Sequence, residues 1–171
     1  METITAKAYF ASNTGYRFIS RKDHPVSPCF TVTIPKPEGG RFYASIGRKK
    51  LGDKAALRKA IKIRNKNGKQ IWGKHWDRVR KEFTLLSRLP KNLEPRLWTD
   101  PKTRTSYYVA RYSKYPSPYS DQCTDHSLKA SVEKHGILGA FSIVKRKLLA
   151  VYADNLELLS YMNRNLGTML K

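Results

Sequence analysis

The chain has 171 residues and a formal net charge of +21, with 34 Lys and Arg against 13 Asp and Glu. Hydrophobic residues make up 40%, enough for a packed core, which excludes wholesale disorder. No apolar run approaches the ~20 residues of a membrane span, and Met1-Glu2-Thr3-Ile4-Thr5 lacks the basic start and apolar centre of a secretory leader. The expected setting is therefore the cytoplasm, next to the nucleoid. The expected partner is a polyanion, with double-stranded DNA first among them. The excess is lopsided: residues 1–90 hold 21 basic and 6 acidic residues, residues 91–171 hold 13 and 7. Cys29 and Cys123 fit no Cys-x-x-Cys motif and read as free thiols of a reducing compartment.

In chain order, Gly15 to Ser20 reads as a first strand, followed by a loop to Pro28. Cys29 to Ile34 alternates, with Phe30, Val32 and Ile34 on one face and Thr31 and Thr33 on the other. Pro35 to Gly40 is a turn. Arg41 to Ile46 alternates again, with Phe42, Ala44 and Ile46 inward and Arg41, Tyr43 and Ser45 outward. A helix follows, expected to be capped by Asp53, striped by Ala56, Leu57, Ala60 and Ile61, and stopped at Asn67-Gly68. Residues 69–88 form a second helical pattern, with Ile71, Trp72, His75, Trp76, Val79, Phe83 and Leu86 on one face, as a core stripe. Leu89 to Pro95 is a linker.

A second unit starts at Arg96-Leu97-Trp98. Ser106 to Tyr112 sets Tyr108, Ala110 and Tyr112 against Tyr107, Val109 and Arg111. Tyr115 to Asp125 is a loop, Ser127 to Val132 a third strand, and Ile137 to Ala153 a helix. Asp154 or Asn155 caps a last helix with Leu156, Leu159, Met162 and Leu166 along one side. The expected fold is α+β: two tandem units, each a three-stranded antiparallel sheet packed on a helix, with extra helices in the linker and at the C-terminus. The domains are 1–68, a linker helix over 69–94, and 95–171.

One short phrase recurs. Ala44-Ser45-Ile46, the basic tract Arg48-Lys49-Lys50, Gly52 and Ala56 return as Ala130-Ser131-Val132, Glu133-Lys134-His135, Gly136 and Ala140. With Ala60 and Arg64 added in the first copy, this order resembles the Apetala-two/ethylene-response-factor DNA-binding domain of the bacterial and phage type. It is also similar to the arm-binding domains of tyrosine recombinases. The resemblance covers roughly residues 13–66 and 95–150, and the second copy has Val144 and Leu148 in place of Ala60 and Arg64. It implies a sheet lying in the DNA major groove, whose outer face reads bases. On this chain it makes Arg17 a first-strand reader and matches Arg41 and Tyr43 to the family's third-strand Arg and Trp. Thr33 stands where the family often carries a charged second-strand contact.

The residues point the same way without the family. A sheet packed on one helix leaves its other face free, and in the first unit that face carries Arg17, Thr31, Thr33, Arg41, Tyr43 and Ser45. Arg makes bidentate contacts to guanine in the major groove, and hydroxyls bond phosphates. In the second unit Arg96, Trp98, Arg111 and Lys129 are the outer-face base-contact candidates. Arg21, Lys22, Ser45, Arg48, Lys49 and Lys50 are the phosphate-contact candidates. The basic residues of the first helix read as a solvated face, and Trp72 and Trp76 as core.

No enzyme is expected, and no metal or cofactor. His24, His75, His126 and His135 lack metal-ligand spacing. Asp125 and His126 are adjacent on an extended segment and point to opposite faces. Asp121, Asp125 and Glu133 imitate a nuclease cluster without a lysine tied to them. The sequence thus reads as a sequence-specific duplex-binding regulator of a bacterium, phage or mobile element, a monomer or weak dimer. In this reading the second unit binds DNA weakly or binds a protein instead. The alternatives are an accessory or inhibitor protein acting on a recombinase or a host defence complex, and an RNA-binding protein.

Overall fold

In the computed structural model of the chain, the described residues are 12–82, 84–117, 120 and 122–164. Two compact units divide it, Met1–Leu85 and Leu86–Lys171. Each holds a three-stranded antiparallel sheet with its central strand second in sequence, packed on a long helix.

In the first unit, β1 (Ile19–Lys22), β2 (Cys29–Pro35) and β3 (Arg41–Gly47) form the sheet. Val32 lies between Ile19 and Ala44, and Phe30 opposite Ile46, so one face is apolar and closes on α1 (Asp53–Trp72). Ile19, Phe30, Val32, Ile34 and Ile46 are all buried there, against Ala56 and Ala60. The small alanines let the helix approach the β-branched surface closely.

Four expectations shift in this unit. The first strand begins at Ile19, because Gly15 and Phe18 both take positive φ and Thr14 Oγ1 donates to the Ile19 carbonyl. Residues 15–18 are turn. The N-cap of α1 is Gly52, not Asp53; no side chain caps the helix, and Asp53 is its first residue. The helix also runs through Asn67-Gly68 to Trp72 and stops at Gly73, whose φ is 51°. Gly68 serves packing instead: it is buried beneath the indole of Trp76. Finally, residues 69–88 are not one helix. They comprise the end of α1, a 3-10 turn at Gly73–His75, α2 (Trp76–Lys81) and α3 (Leu85–Arg88).

Part of the expected core stripe holds across those pieces. Trp72, His75, Trp76 and Val79 are buried, Ile71 and Leu86 are only half-buried, and Phe83 lies outside the described residues. Trp72 donates its indole N–H to the Pro35 carbonyl at 2.9 Å, and Trp76 stacks on Phe18 with centroids 5.8 Å apart. Both buried indoles therefore anchor the helical segment beneath the sheet, and neither is free to stack on a base.

In the second unit β4 (Arg96–Thr99), β5 (Ser106–Lys114) and β6 (Thr124–Ser131) pack on α4 (Val132–Val151). A first helical turn is capped by Ser131, whose Oγ accepts from the Lys134 amide. Gly136 then breaks the helical path with φ 70° and ψ 168°, and the long helix runs on from Ile137, the expected start, to Val151. Gly52 has φ 72° and ψ 160°, so the two repeated glycines share one backbone conformation. A side chain is disfavoured there, which gives the repeated glycine a physical reason. Asn155 holds the N-cap position of α5 (Leu156–Tyr161). Leu158, Leu159 and Met162 are buried, and Leu166 lies outside the described residues. No helix among the described residues is long and apolar enough to cross a membrane.

Candidate nucleic-acid interface

Strand β3 sets the first candidate surface. Arg41, Tyr43 and Ser45 alternate outward, all three exposed, about 7 Å apart along the strand. Tyr43 stands beside Thr33, and Ser45 beside Thr31 and Ser20, in the sheet register. Thr33 is half-buried and Thr31 is only 6% exposed, so the β3 edge offers most of this face to solvent. Lys22 is exposed at the end of β1, in the row of Cys29 and Gly47.

Arg17 is placed differently from its expected strand position. It lies on the turn before β1, half-buried, with its guanidinium 4.7 Å from the Phe18 ring centroid. Burial pushes its pKa down to about 10. Its carbonyl accepts from Nη1 of Arg64 at 3.3 Å. Arg64 is itself buried on α1, where desolvation lowers its pKa, and its Nε and Nη2 donate to Asn65. The two arginines thus tie the turn to the helix.

Arg48 departs furthest from its expected role. Its side chain is 7% exposed, with Nε and Nη2 donating to the two carboxylate oxygens of Asp53 at 2.8 and 2.7 Å. Nη1 donates to Asp23, and the guanidinium covers the Phe30 ring at 5.3 Å. The hydrogen bonds that Arg48 donates to Asp53 and Asp23 hold its guanidinium well above its ordinary pKa. In return Asp53 is held below its ordinary value by Arg48, and Asp23 by Arg21 and Arg48. Arg21 bonds Asp23 at 2.9 Å and lies 3.4 Å from Asp53. Of the six phosphate candidates, Lys22, Ser45, Lys49 and Lys50 are exposed and bond no carboxylate among the described residues, whereas Arg21 and Arg48 are committed to Asp23 and Asp53.

The second sheet brings its four candidates onto one face. The register aligns Arg96 with Val109 and Lys129, and Trp98 with Tyr107 and Ser131, while Arg111 lies two residues further along β5. Lys129 Nζ sits 3.6 Å from the Tyr107 ring centroid and 5.3 Å from that of Trp98. Trp98 and Tyr107 are tilted at 6.0 Å. Tyr107 was absent from the candidates, although period-two spacing from Arg111 places it on their face.

Further along this hairpin a depression of about 350 Å³ is lined by Arg111, Tyr112, Ser113, Asp125, His126 and Ser127. Ser113 Oγ donates to Asp125 at 2.7 Å, and His126 stacks on Tyr112 at 5.2 Å. Asp125 and His126 occupy opposite faces of β6, which separates their side chains. Among the described residues, no three His, Cys, Asp or Glu side chains group as metal ligands; Asp121 lies outside them. Cys29 and Cys123 are both free thiols.

No family model, curated protein or solved structure matches this chain.

Proposed function

We propose that the chain is a sequence-specific double-stranded-DNA-binding protein, acting as a regulator by occupying its site. The observation that carries this reading is the β3 outer edge. It presents Arg41, Tyr43 and Ser45 in one exposed row, with exposed Lys49 and Lys50 just beyond the strand, in the more basic half of a +21 chain. Arg at a strand edge suits guanine O6 and N7 in a major groove, and the flanking cations suit phosphates. The anchored Arg48 supports this indirectly. By tying the β1–β2 loop to the start of α1, it fixes where the Lys49-Lys50 turn projects.

The second unit contributes less charge and a more aromatic surface. Its Trp98–Tyr107–Lys129 cluster favours a second reading, in which unpaired bases stack there. Competition binding separates the two. Duplex DNA should displace a labelled duplex at lower concentration than single-stranded DNA or RNA of the same sequence. Preference for a single strand would replace the duplex reading with the second one.

A further inference from the structure

Helix α1 carries a second basic surface that the sheet-face reading does not use. Lys54, Arg58, Lys62 and Lys66 follow one another at every fourth position, with Lys59 and Lys69 beside them, and all six are exposed. From Lys54 to Lys69 the row spans about 22 Å. After Asp53 the helix contains no acidic residue, and none of the six bonds a carboxylate among the described residues. Like charges at this spacing repel and oppose helix formation. The fold does not require them. In the corresponding helix α4, beyond Gly136, the exposed positions are Ile137, Leu138, Ser142, Arg146, Lys147, Ala150 and Val151, and Lys145 is paired with Glu94 at 2.9 Å.

The geometry separates this row from the β3 edge. Ala56, Ala60, Arg64, Gly68 and Trp72 form the buried side of α1, which closes on the apolar face of the sheet. The sheet's outer face and the helix's solvent face therefore lie on opposite sides of the unit, with the sheet and a helix ~10–12 Å in diameter between them. One straight duplex segment cannot touch both.

We propose that the solvent face of α1 grips the sugar–phosphate backbone of a second duplex segment, so that one chain bridges two stretches of DNA. Backbone is the fitting occupant because the surface is cationic and is the convex outer face of a helix, and duplex DNA presents phosphates along its whole length. This inference rests on the duplex reading above. It adds a non-specific, salt-sensitive contact to a sequence-reading one.

The test uses the full chain, saturated on an immobilised duplex, and measures capture of a second, fluorescent duplex of unrelated sequence. The wild type should capture it, with a steep loss on adding salt. A K54Q/R58Q/K62Q/K66Q variant should lose capture at least tenfold while keeping its affinity for the first duplex within a few-fold at moderate salt. The salt slope of capture should fall by roughly 3 to 4, at about 0.9 per phosphate contact. A K54R/K62R/K66R variant, which keeps the charge, should capture normally, and thermal melts should show both variants folded. No capture by the wild type, or equal capture by the Gln variant, would overturn the proposal and leave a solvated helix face or bridging through protein dimers. Failure to bind the first duplex at all would instead strike the duplex reading itself.

Discussion

Gly68→Ala probes the packing that holds the helical segment under the first sheet. A Cβ at this position would stand 2.3, 2.3 and 2.4 Å from Cε2, Cζ2 and Cη2 of Trp76. Carbon atoms prefer about 3.5–4.0 Å, so the overlap exceeds ~1 Å at three ring atoms. The ring has little room to yield, being 2% exposed and stacked on Phe18. Overpacking of this kind costs about 1–3 kcal/mol, against a gain of up to ~1 kcal/mol from replacing a helical glycine with alanine. The expected net loss is about 1–2 kcal/mol, a drop of roughly 5–15 °C in the melting temperature of a unit this size. Gly139→Ala is the matched control. It is also helical, and its new Cβ would meet only His135 Cβ, at 3.4 Å. The helix gain should prevail there, stabilising the second unit by up to ~1 kcal/mol. Tryptophan fluorescence in thermal or urea melts follows the first unit through Trp72 and Trp76 and the second through Trp98. An unchanged or raised first-unit midpoint in Gly68→Ala would refute the close contact between α1 and Trp76.

Two other outcomes follow from the charged groups. Asp23 and Asp53 have folded pKa values below their ordinary 3.8, so their contribution to stability is present above that value. It should disappear as pH falls below 3.8 through the folded values. Urea midpoints between about pH 2 and 5 should therefore drop in the wild type, and less steeply in Arg48→Met, where Asp53 loses its main partner; equal slopes would contradict the pairing. Changing Lys49 and Lys50 to Ala should weaken binding to all duplex sequences alike and lower the salt slope by about 1.8, read by anisotropy titrations at several salt concentrations.

The β2 and β3 patterns were legible because each strand turns an apolar face towards α1 and a polar face away from it. Strict alternation of Phe30, Val32 and Ile34 against two threonines follows directly from that. The repeated phrase was legible for a related reason, since each glycine needs the same positive-φ backbone. What eluded the sequence depends on distant groups. Asn67-Gly68 has the composition of a helix stop, but the need for glycine at 68 is set by an indole eight residues later. Arg48 sits in a run of cations, and nothing local shows that carboxylates at 23 and 53 converge on it. Arg17 was misplaced because positive φ at Phe18, a rare conformation for an aromatic residue, delays the first strand. On the second sheet, Tyr107 was within reach of the same alternation that placed Arg111. Its closeness to Lys129 depends on the pairing register, which spacing alone does not give.

The central claim is that the β3 edge reads base pairs. It is tested most directly by selecting bound sequences from a randomised duplex pool with the wild type and with Arg41→Ala. Arg41 lies exposed at the start of β3 and bonds no carboxylate among the described residues, so its removal should leave the fold intact. The account predicts that the wild type enriches a defined site containing guanine. It also predicts that Arg41→Ala loses preference at one or two positions, by about 1–3 kcal/mol in discrimination, while keeping most of its non-specific affinity. An identical enriched site from both proteins, or no enriched site from the wild type, would contradict it.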